Sequence, residues 1–536
     1  MIHTSDLSLS FGGQVLFEDV SVKFLMGNCY GLIGANGSGK STFLKILSGE
    51  IEASKGDVVI GKDKRIAVLK QDQFAFDEVI ILETVLMGHE KLYKLYTERN
   101  ELYAKTEYTE EEGMRIGELE TDFAEMDGYA AESDAATILS ELGINEELQG
   151  KKMKELDPGL KIRVLLAQAL FGEPDILLLD EPTNQLDYLS ALWLENYLQD
   201  FKNIVIVVSH DRHFLNKVCT HIANLDFKQI NILPGNYDFW QESSQLAMKQ
   251  KQDHNKRADA KVKELEEFVR RFSANASKSK QATSRKKLIE KIRPEELPVS
   301  SRRSPYINFK PSRACGNSIV TVKNVSHKIG DDQVLQNVSF TLAKHDKVAI
   351  VGQNNISKTI LLQILAGEIE PDQGKIHWGE SITRAYFPKD NAKYFDKNIS
   401  LMAWLSQFTE SSDIQFIRGF LGRMLFSADA VDKKVKVLSG GEKARAMFSK
   451  MMLVEANTLI FEDPTDHLDL ESIAALNEGL EKYSECMFFS SHDFQLLNTV
   501  SNRIIEVSPK GMLDRKTSFD EFMQSEQIKK FREELY

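Results

Sequence analysis

The chain has 536 residues, 42% of them hydrophobic, and a formal net charge of −13. That length calls for roughly two to four domains. No run approaches the ~18 to 20 apolar residues that cross a bilayer, and MIHTSDLSLSF at the start has neither the basic region nor the apolar core of a signal peptide. The acidic total argues against indiscriminate nucleic-acid binding by the whole surface. Cys29, Cys219, Cys315 and Cys486 lie far apart, without metal-ligand or CxxC spacing. A reduced, cytoplasmic compartment is expected.

In chain order, the first informative element is the apolar run CYGLI (29–33), expected to be a buried strand. GANGSGKS follows it, fits the P-loop pattern GxxxxGK[ST], and precedes a helical run. Gly34, Ala35, Asn36, Gly37, Ser38, Gly39, Lys40, Ser41 and Thr42 are therefore the candidate nucleotide-binding residues. The glycines let backbone N–H groups close on phosphate oxygens without a Cβ in the way. Lys40 neutralises the β and γ oxygens, Ser41 offers a hydroxyl to Mg2+, and the helix starting there adds its positive end.

The stretch 87–134 has helical spacing at Leu92, Leu95, Tyr96, Leu102 and Tyr103, with 14 acids and 5 bases. It is expected to be an acidic helical arm, either a solvated hairpin or a contact arm. DILLLD (175–180) and NIVIVVSH (203–210) are short apolar runs ending in polar residues, the pattern of buried parallel strands. ILLLDE places Asp180 for the Mg2+ shell and Glu181 as general base for a water attacking the γ-phosphate.

Residues 249–313 change character, with 19 Lys and Arg against 8 Asp and Glu. Val262, Leu265, Phe268, Val269 and Phe272 mark one face of a first helix, and Leu288, Ile289 and Ile292 mark a second. A first helix of some 30 residues would reach roughly 45 Å. Between them SANASKSKQATSR (273–285) is small, polar and basic, and beyond Pro294 further prolines break the helix. Two helices joined by a basic tip are expected.

The chain then repeats itself. GANGSGKST returns, altered, as GQNNISKTI (352–360), LLLDEPTNQLD (177–187) as LIFEDPTDHLD (459–469), and VVSHDRHFL (207–215) as FSSHDFQLL (489–497). Asp180 to Glu462 and His210 to His492 are each 282 apart, whereas Lys40 to Lys358 and Gln71 to Lys389 are each 318 apart. The first copy thus carries 36 extra residues beyond Gln71, for which the acidic arm is the candidate. The fold class expected is α/β, with two P-loop domains at 1–240 and 317–536 joined by a basic helical-hairpin linker at 241–316.

LSGGEKAR (438–445) resembles the signature motif of ATP-binding cassette proteins. With both P-loops, both Walker B strands and both switch histidines, the resemblance covers essentially the whole chain. The DEPTNQLD form, the fused pair and the basic linker resemble the ABC-F family, soluble tandem ATPases that act on ribosomes. RFSANASKSKQATSR (271–285) and PGLKIRVLLAQALF (158–171) look most like its YbiT-type branch. The resemblance implies that Gln71 senses Mg2+ and water, that His210 holds the γ-phosphate, and that Phe11 stacks on adenine. It also implies that the halves close face to face, each ATP lying between one P-loop and the opposite signature.

On that geometry, site one combines Gly34–Ser41, Gln71, Asp180, Glu181 and His210 with Ser439, Gly440 and Gly441. Site two would combine Gly352, Lys358, Thr359 and His492 with LDPGL (156–160). Here Asn355 and Ser357 replace Gly37 and Gly39, Lys389 replaces Gln71, Glu462-Asp463 inverts Asp-Glu, Ile329 replaces Phe11, and Asp157-Pro158 replaces Ser-Gly. Asn355 and Ser357 each add a Cβ where backbone must approach phosphate, a steric misfit that costs on the order of 1–3 kcal/mol if it forces strain. One hydrolytic and one catalytically dead site are expected.

The resemblance implies a translation factor that clamps on the ribosome at the tRNA exit site when ATP-bound. Lys278, Lys280, Arg285, Lys286 and Lys287 of the tip are candidates to meet rRNA and tRNA, and the arm to meet ribosomal protein. The alternative is the soluble motor of a membrane transporter, which would not need the long basic hairpin. A DNA-repair ATPase is a third possibility, but such proteins usually carry zinc modules or very long coiled coils. A monomeric chain with an intramolecular cassette pair, and no membrane or DNA partner, is expected.

Overall fold

The computed structural model describes residues 1–536 except 12–13, 63, 71, 106–108, 185, 273–278, 293–301, 410–412, 467 and 536. Each half is built on a six-stranded sheet. In the first half the order is 229–234, 221–226, 29–33, 204–208, 176–180, 66–68, and in the second it is 384–387, 458–462, 486–490, 347–351, 503–508, 511–515. The sheets are parallel apart from one antiparallel edge strand each, 229–234 and 511–515. The short apolar runs supply the centre: CYGLI, IVIVV and CMFFS are buried at every position. Strands covered by helices on both faces need continuous rather than alternating apolar residues. A smaller antiparallel sheet flanks each main sheet, formed around 2–11 in the first half and 320–329 in the second.

The insertion forms the helices Glu90–Tyr103 and Glu110–Glu125. Thr109 caps the second through a reciprocal pair with Glu112. Leu92, Leu102, Leu119 and Phe123 are buried along the arm. Arg99 pairs with Glu120 at 2.7 Å and Arg115 with Glu98 at 2.8 Å. These bases offset part of the arm's own acidity.

The linker helices are Tyr237–Phe272 and Ser279–Ile292. The first has 36 residues, about 54 Å, longer than the sequence spacing suggested. It begins at Tyr237, where Asn236 Oδ1 accepts from the Phe239 N–H at 3.1 Å, and Tyr237 and Trp240, each 6% exposed, anchor it in the first half's core. Ile307 and Phe309, on the returning segment, enter the core of the second half.

The halves exchange matched side chains. Leu470 lies in the core of the first half, and Tyr188, its counterpart at the 282-residue offset, packs against the core of the second. The Tyr188 ring stacks on Phe494 at 5.8 Å and meets Phe519 edge-on at 5.3 Å. This exchange sets the two halves face to face.

Candidate functional site

In site one the strand Cys29–Ile33 runs into the loop and the helix Lys40–Leu47 leaves it. Gly37 at φ +79° and Gly39 at φ +102° hold a left-handed backbone that side chains rarely adopt. At Gly34 a Cβ would lie 2.7 Å from the Leu225 carbonyl oxygen. The loop therefore has the shape that close approach to phosphate demands. Lys40 Nζ donates to the carbonyls of Gly34 at 2.8 Å and Ala35 at 3.2 Å, and burial lowers its pKa. The charges of Glu181, Asp180 and Asp469 act on it in the opposite direction.

Glu181 follows the strand Ile176–Asp180 in a left-handed conformation, φ +52°, which turns its carboxylate toward the switch segment. Oε2 accepts from the His210 N–H at 3.2 Å, and Oε1 lies 3.4 Å from His210 Nε2 without forming a hydrogen bond. Burial pushes this carboxyl up to about 8, with the Asp180 charge working the same way. Burial also pushes His210 down to about 3, assisted by Lys40 and Arg302. The Ser38 hydroxyl is buried without a protein partner. Gln71 lies outside the described residues, as does the Phe11 side chain.

In site two the matching groups turn inward. The helix Asn355–Ala366 starts three residues earlier than its counterpart, which begins at Lys40. Asn354 is its N-cap, and Asn354 Oδ1 accepts from the N–H groups of Ile356 at 2.9 Å and Ser357 at 3.2 Å. The Ser38 and Gly39 positions thus have their N–H groups occupied by a side chain in the second copy. Ser357 Oγ donates to the Val334 carbonyl at 2.8 Å.

The acids of site two are also satisfied from within. Thr359 Oγ1 donates to Glu462 Oε1 at 2.5 Å, and Glu462 Oε2 accepts from the Tyr386 hydroxyl at 2.8 Å and the Lys389 N–H at 3.2 Å. Ser490 Oγ donates to Asp463 Oδ1 at 3.0 Å, and Lys389 Nζ to Asp463 Oδ2 at 2.8 Å. Burial works to raise the pKa of Asp463, but His492, Lys389 and Lys358 hold it below the usual carboxylate range. At neutral pH the lysines carry that effect, because burial keeps His492 uncharged, down to about 4. His492 Nδ1 is 2.8 Å from the Leu186 carbonyl of the other half, whereas His210 Nδ1 has no protein hydrogen-bond partner.

The two helices facing these loops also differ. Ser439 caps the helix Gly440–Val454 through a reciprocal pair with Glu442. Asp157 caps Pro158–Leu170, its Oδ1 accepting from Gly159 N at 2.9 Å and Leu160 N at 3.2 Å. Pro158 sits at the first helical position, where the missing N–H costs the helix nothing. A cavity of about 760 Å3 separates Asp157–Leu160 of the first half from Asn354–Ile356 and Lys389 of the second, so site two is composite. The Asp187 and Arg163 charges act there on Lys358, as the Asp469 and Arg302 charges act on Lys40.

Sequence reasoning missed Asn354, Tyr386, Asp466 and Arg302. Only Asn354 left a signal: an Asn followed by non-glycine residues is a helix start, whereas Asn36 precedes Gly37 and the chain turns instead. Asp466 lies 3.6 Å from Lys389, and nothing in the spacing announced that pair.

A family profile described as "ABC transporter" matches residues 17–184 and 335–466, and a second with that description matches 223–309. The chain is 54% identical over 538 residues to the "Uncharacterized ABC transporter ATP-binding protein YkpA" of Bacillus subtilis (strain 168), covering 100% of both. It is 44% identical to the "Probable ATP-binding protein YbiT" of Escherichia coli O157:H7, over 98% of this chain and 100% of that one. A solved structure titled "RNase-L Inhibitor" shares the fold, with a TM-score of 0.61 at 19% identity, covering 97% of this chain and 92% of that one. Among the described residues no helix is long and apolar enough to cross a membrane. Two P-loop domains in tandem, whole-length similarity to YbiT, and a P-loop shaped for ATP place this chain in the ABC-F family of tandem ATP-binding cassette ATPases.

Proposed function

We propose that this chain is a cytoplasmic translation factor that clamps on the ribosome at the tRNA exit site when ATP-bound, and that it hydrolyses ATP at site one. The observation that carries the asymmetry is the partnering of the acids. All four carboxylate oxygens of Glu462 and Asp463 accept from protein groups, with an ammonium among them. In site one Glu181 Oε1 has no protein hydrogen bond. Water at the second acid pair must compete with a protein donor at every oxygen, whereas Glu181 Oε1 faces no such competitor.

The residues of site one fit MgATP. In this reading the loop Gly34–Ser41 receives the phosphates, and Lys40 moves from its loop carbonyls to the phosphate oxygens. Ser41, Gln71 and Asp180 would hold Mg2+, which when bound neutralises phosphate charge. Glu181 accepts the proton of the attacking water, and the neutral His210, anchored by its N–H on Glu181 Oε2, faces the γ-phosphate. Phe11 stacks on adenine, and Ser439, Gly440 and Gly441 close from the opposite half. At site two Gly352, Lys358 and Thr359 remain available only for non-catalytic contact.

The domains are proposed as 1–240, 241–316 and 317–536. The ribosome reading is supported by the family and by the charge of the linker, 19 bases against 8 acids over 249–313. Arg285 and Lys287 lie on the second linker helix. Lys278 and the side chains of Lys280 and Lys286 lie outside the described residues. Basic groups on a long helical lever suit RNA phosphates, and the acidic arm suits a ribosomal protein. Co-sedimentation tests this. Glu181→Gln with ATP should pellet with ribosomes and be released by high salt; a variant that stays in the supernatant at low salt overturns the ribosome reading and favours a transporter motor.

A further inference from the structure

Arg302 belongs to neither copy of the repeat. It lies on the segment returning from the linker, yet its side chain is only 10% exposed. Nη1 donates to Glu471 Oε1 at 2.7 Å, Nη2 donates to Asn224 Oδ1 at 2.8 Å, and the guanidinium sits 4.6 Å from the centre of the Trp240 ring. One planar group therefore joins the second half, the first half and the base of the linker helix.

Two of these partners border site one. Asn224 pairs across the sheet with Ile33, which leads into Gly34. Glu471 lies two residues beyond Asp469, whose charge acts on Lys40. The Arg302 charge itself acts on both Lys40 and His210. Site two is built otherwise. Its counterpart of Asn224 is Glu506, which pairs with Arg532 of the same half at 3.0 Å, and its counterpart of Glu471 is Leu189, 43% exposed. Among the described residues, the bridge through linker, first half and second half is thus particular to the site built on Glu181.

We infer that Arg302 is a positioning residue for hydrolysis at site one: it fixes Asp469–Glu471 of the second half against the P-loop Gly34–Ser41, and so ties that closure to the position of the linker. A guanidinium can hold a carboxylate and an amide oxygen at once while stacking on an indole, and an ammonium cannot match that fork. A contact that joins the two halves without reaching ATP itself acts on the assembled site more than on ATP binding, so its loss falls on kcat.

The inference rests on site one being hydrolytic, and the test separates the two. Steady-state ATP turnover of the full chain is compared for Arg302→Ala, Arg302→Lys, Glu471→Ala, the Arg302→Ala/Glu471→Ala pair, and Glu181→Gln, with thermal unfolding of each. Arg302→Ala should lower kcat about tenfold, equivalent to about 1.4 kcal/mol, with KM for ATP changed less than about threefold. Glu471→Ala should match it, the double variant should fall no further than the lower single, and Arg302→Lys should not restore the rate. If Arg302→Ala does not fold, Glu471→Gln, which keeps an acceptor oxygen, carries the comparison and should lose kcat but not KM. Unchanged kcat, losses that multiply in the double variant, or a loss confined to KM or thermal stability each overturn the inference. Turnover retained by Glu181→Gln overturns the site-one assignment, and this inference with it.

Discussion

Exchanging a carboxylate for an amide at the matched positions 181 and 463 should shift stability in opposite directions when nucleotide and metal are absent. Burial raises Glu181 from 4.5 to about 8, so the native state binds this proton more tightly than the unfolded chain does. Its contribution is fully present below about 4.5 and is lost as pH rises toward about 8. At pH 7.5 the ceiling on that loss is about three pK units, or about 4 kcal/mol. The side chain keeps 20% exposure, which we allow for by halving this to about 2 kcal/mol. Glu181→Gln keeps an acceptor for the His210 N–H and removes the cost. With about 2–4 °C per kcal/mol for a domain of this size, the melting temperature should rise by roughly 4–8 °C at pH 7.5. Asp463 has the opposite sign: its lowered pKa adds stability above 3.8 that is lost on acidification. Asp463→Asn leaves Lys389 without its closest carboxylate and should cost about 2 kcal/mol. Thermal unfolding with a chelator at pH 6 and pH 8 measures both. A Glu181→Gln protein no more stable than wild type at pH 8, or a gain that does not grow with pH, refutes the reasoning.

Further outcomes follow from other features. Gly39→Ala forces a Cβ onto φ +102°, 3.4 Å from Leu16 Cβ, and should weaken nucleotide binding at least about tenfold, read with a fluorescent ATP analogue. Ser357→Gly should leave total turnover unchanged, because Asn354 still holds the loop N–H groups. Asp211 is pushed up to about 7 by burial and by the Asp493 charge, with Glu195 adding to the effect and His213 opposing it. Asp211→Asn should therefore raise thermal stability at pH 8 and leave it nearly unchanged at pH 4, since the acid's stabilising proton is lost only as pH rises through about 7. Replacing Lys278, Lys280, Lys286 and Lys287 by Glu should weaken ribosome binding and flatten its salt dependence, by about 0.7–0.9 in log–log slope per lost phosphate contact, without changing basal turnover.

The shape of the first P-loop and of the strand end beside it was legible because it is written in short, contiguous motifs. Lys40, Ser41, Asp180 and Glu181 sit on a loop and a strand end whose shapes follow from their own residues. The duplication, the inserted arm and the linker helices were equally legible from offsets and apolar spacing. The inward turn of site two was only half visible. Asn355 and Ser357 announced a poor fit for phosphate, but that Asn354 would occupy the freed N–H groups depends on where the helix begins. Lys389 stood at the metal position in the sequence, yet its pairing with Asp463 and Asp466 is a tertiary fact. Arg302 was illegible because its partners, Asn224, Trp240 and Glu471, are brought together by packing of three separate segments.

Turnover at saturating ATP for Glu181→Gln against Asp463→Asn, with and without ribosomes, tests the asymmetry of the two sites most directly. Removing a general base costs about 10²–10⁴-fold. Glu181→Gln should lose turnover on that scale, and Asp463→Asn should stay close to wild type at a temperature where it remains folded. Comparable losses in the two variants, or a larger loss in Asp463→Asn, would contradict a single hydrolytic site built on Gly34–Ser41.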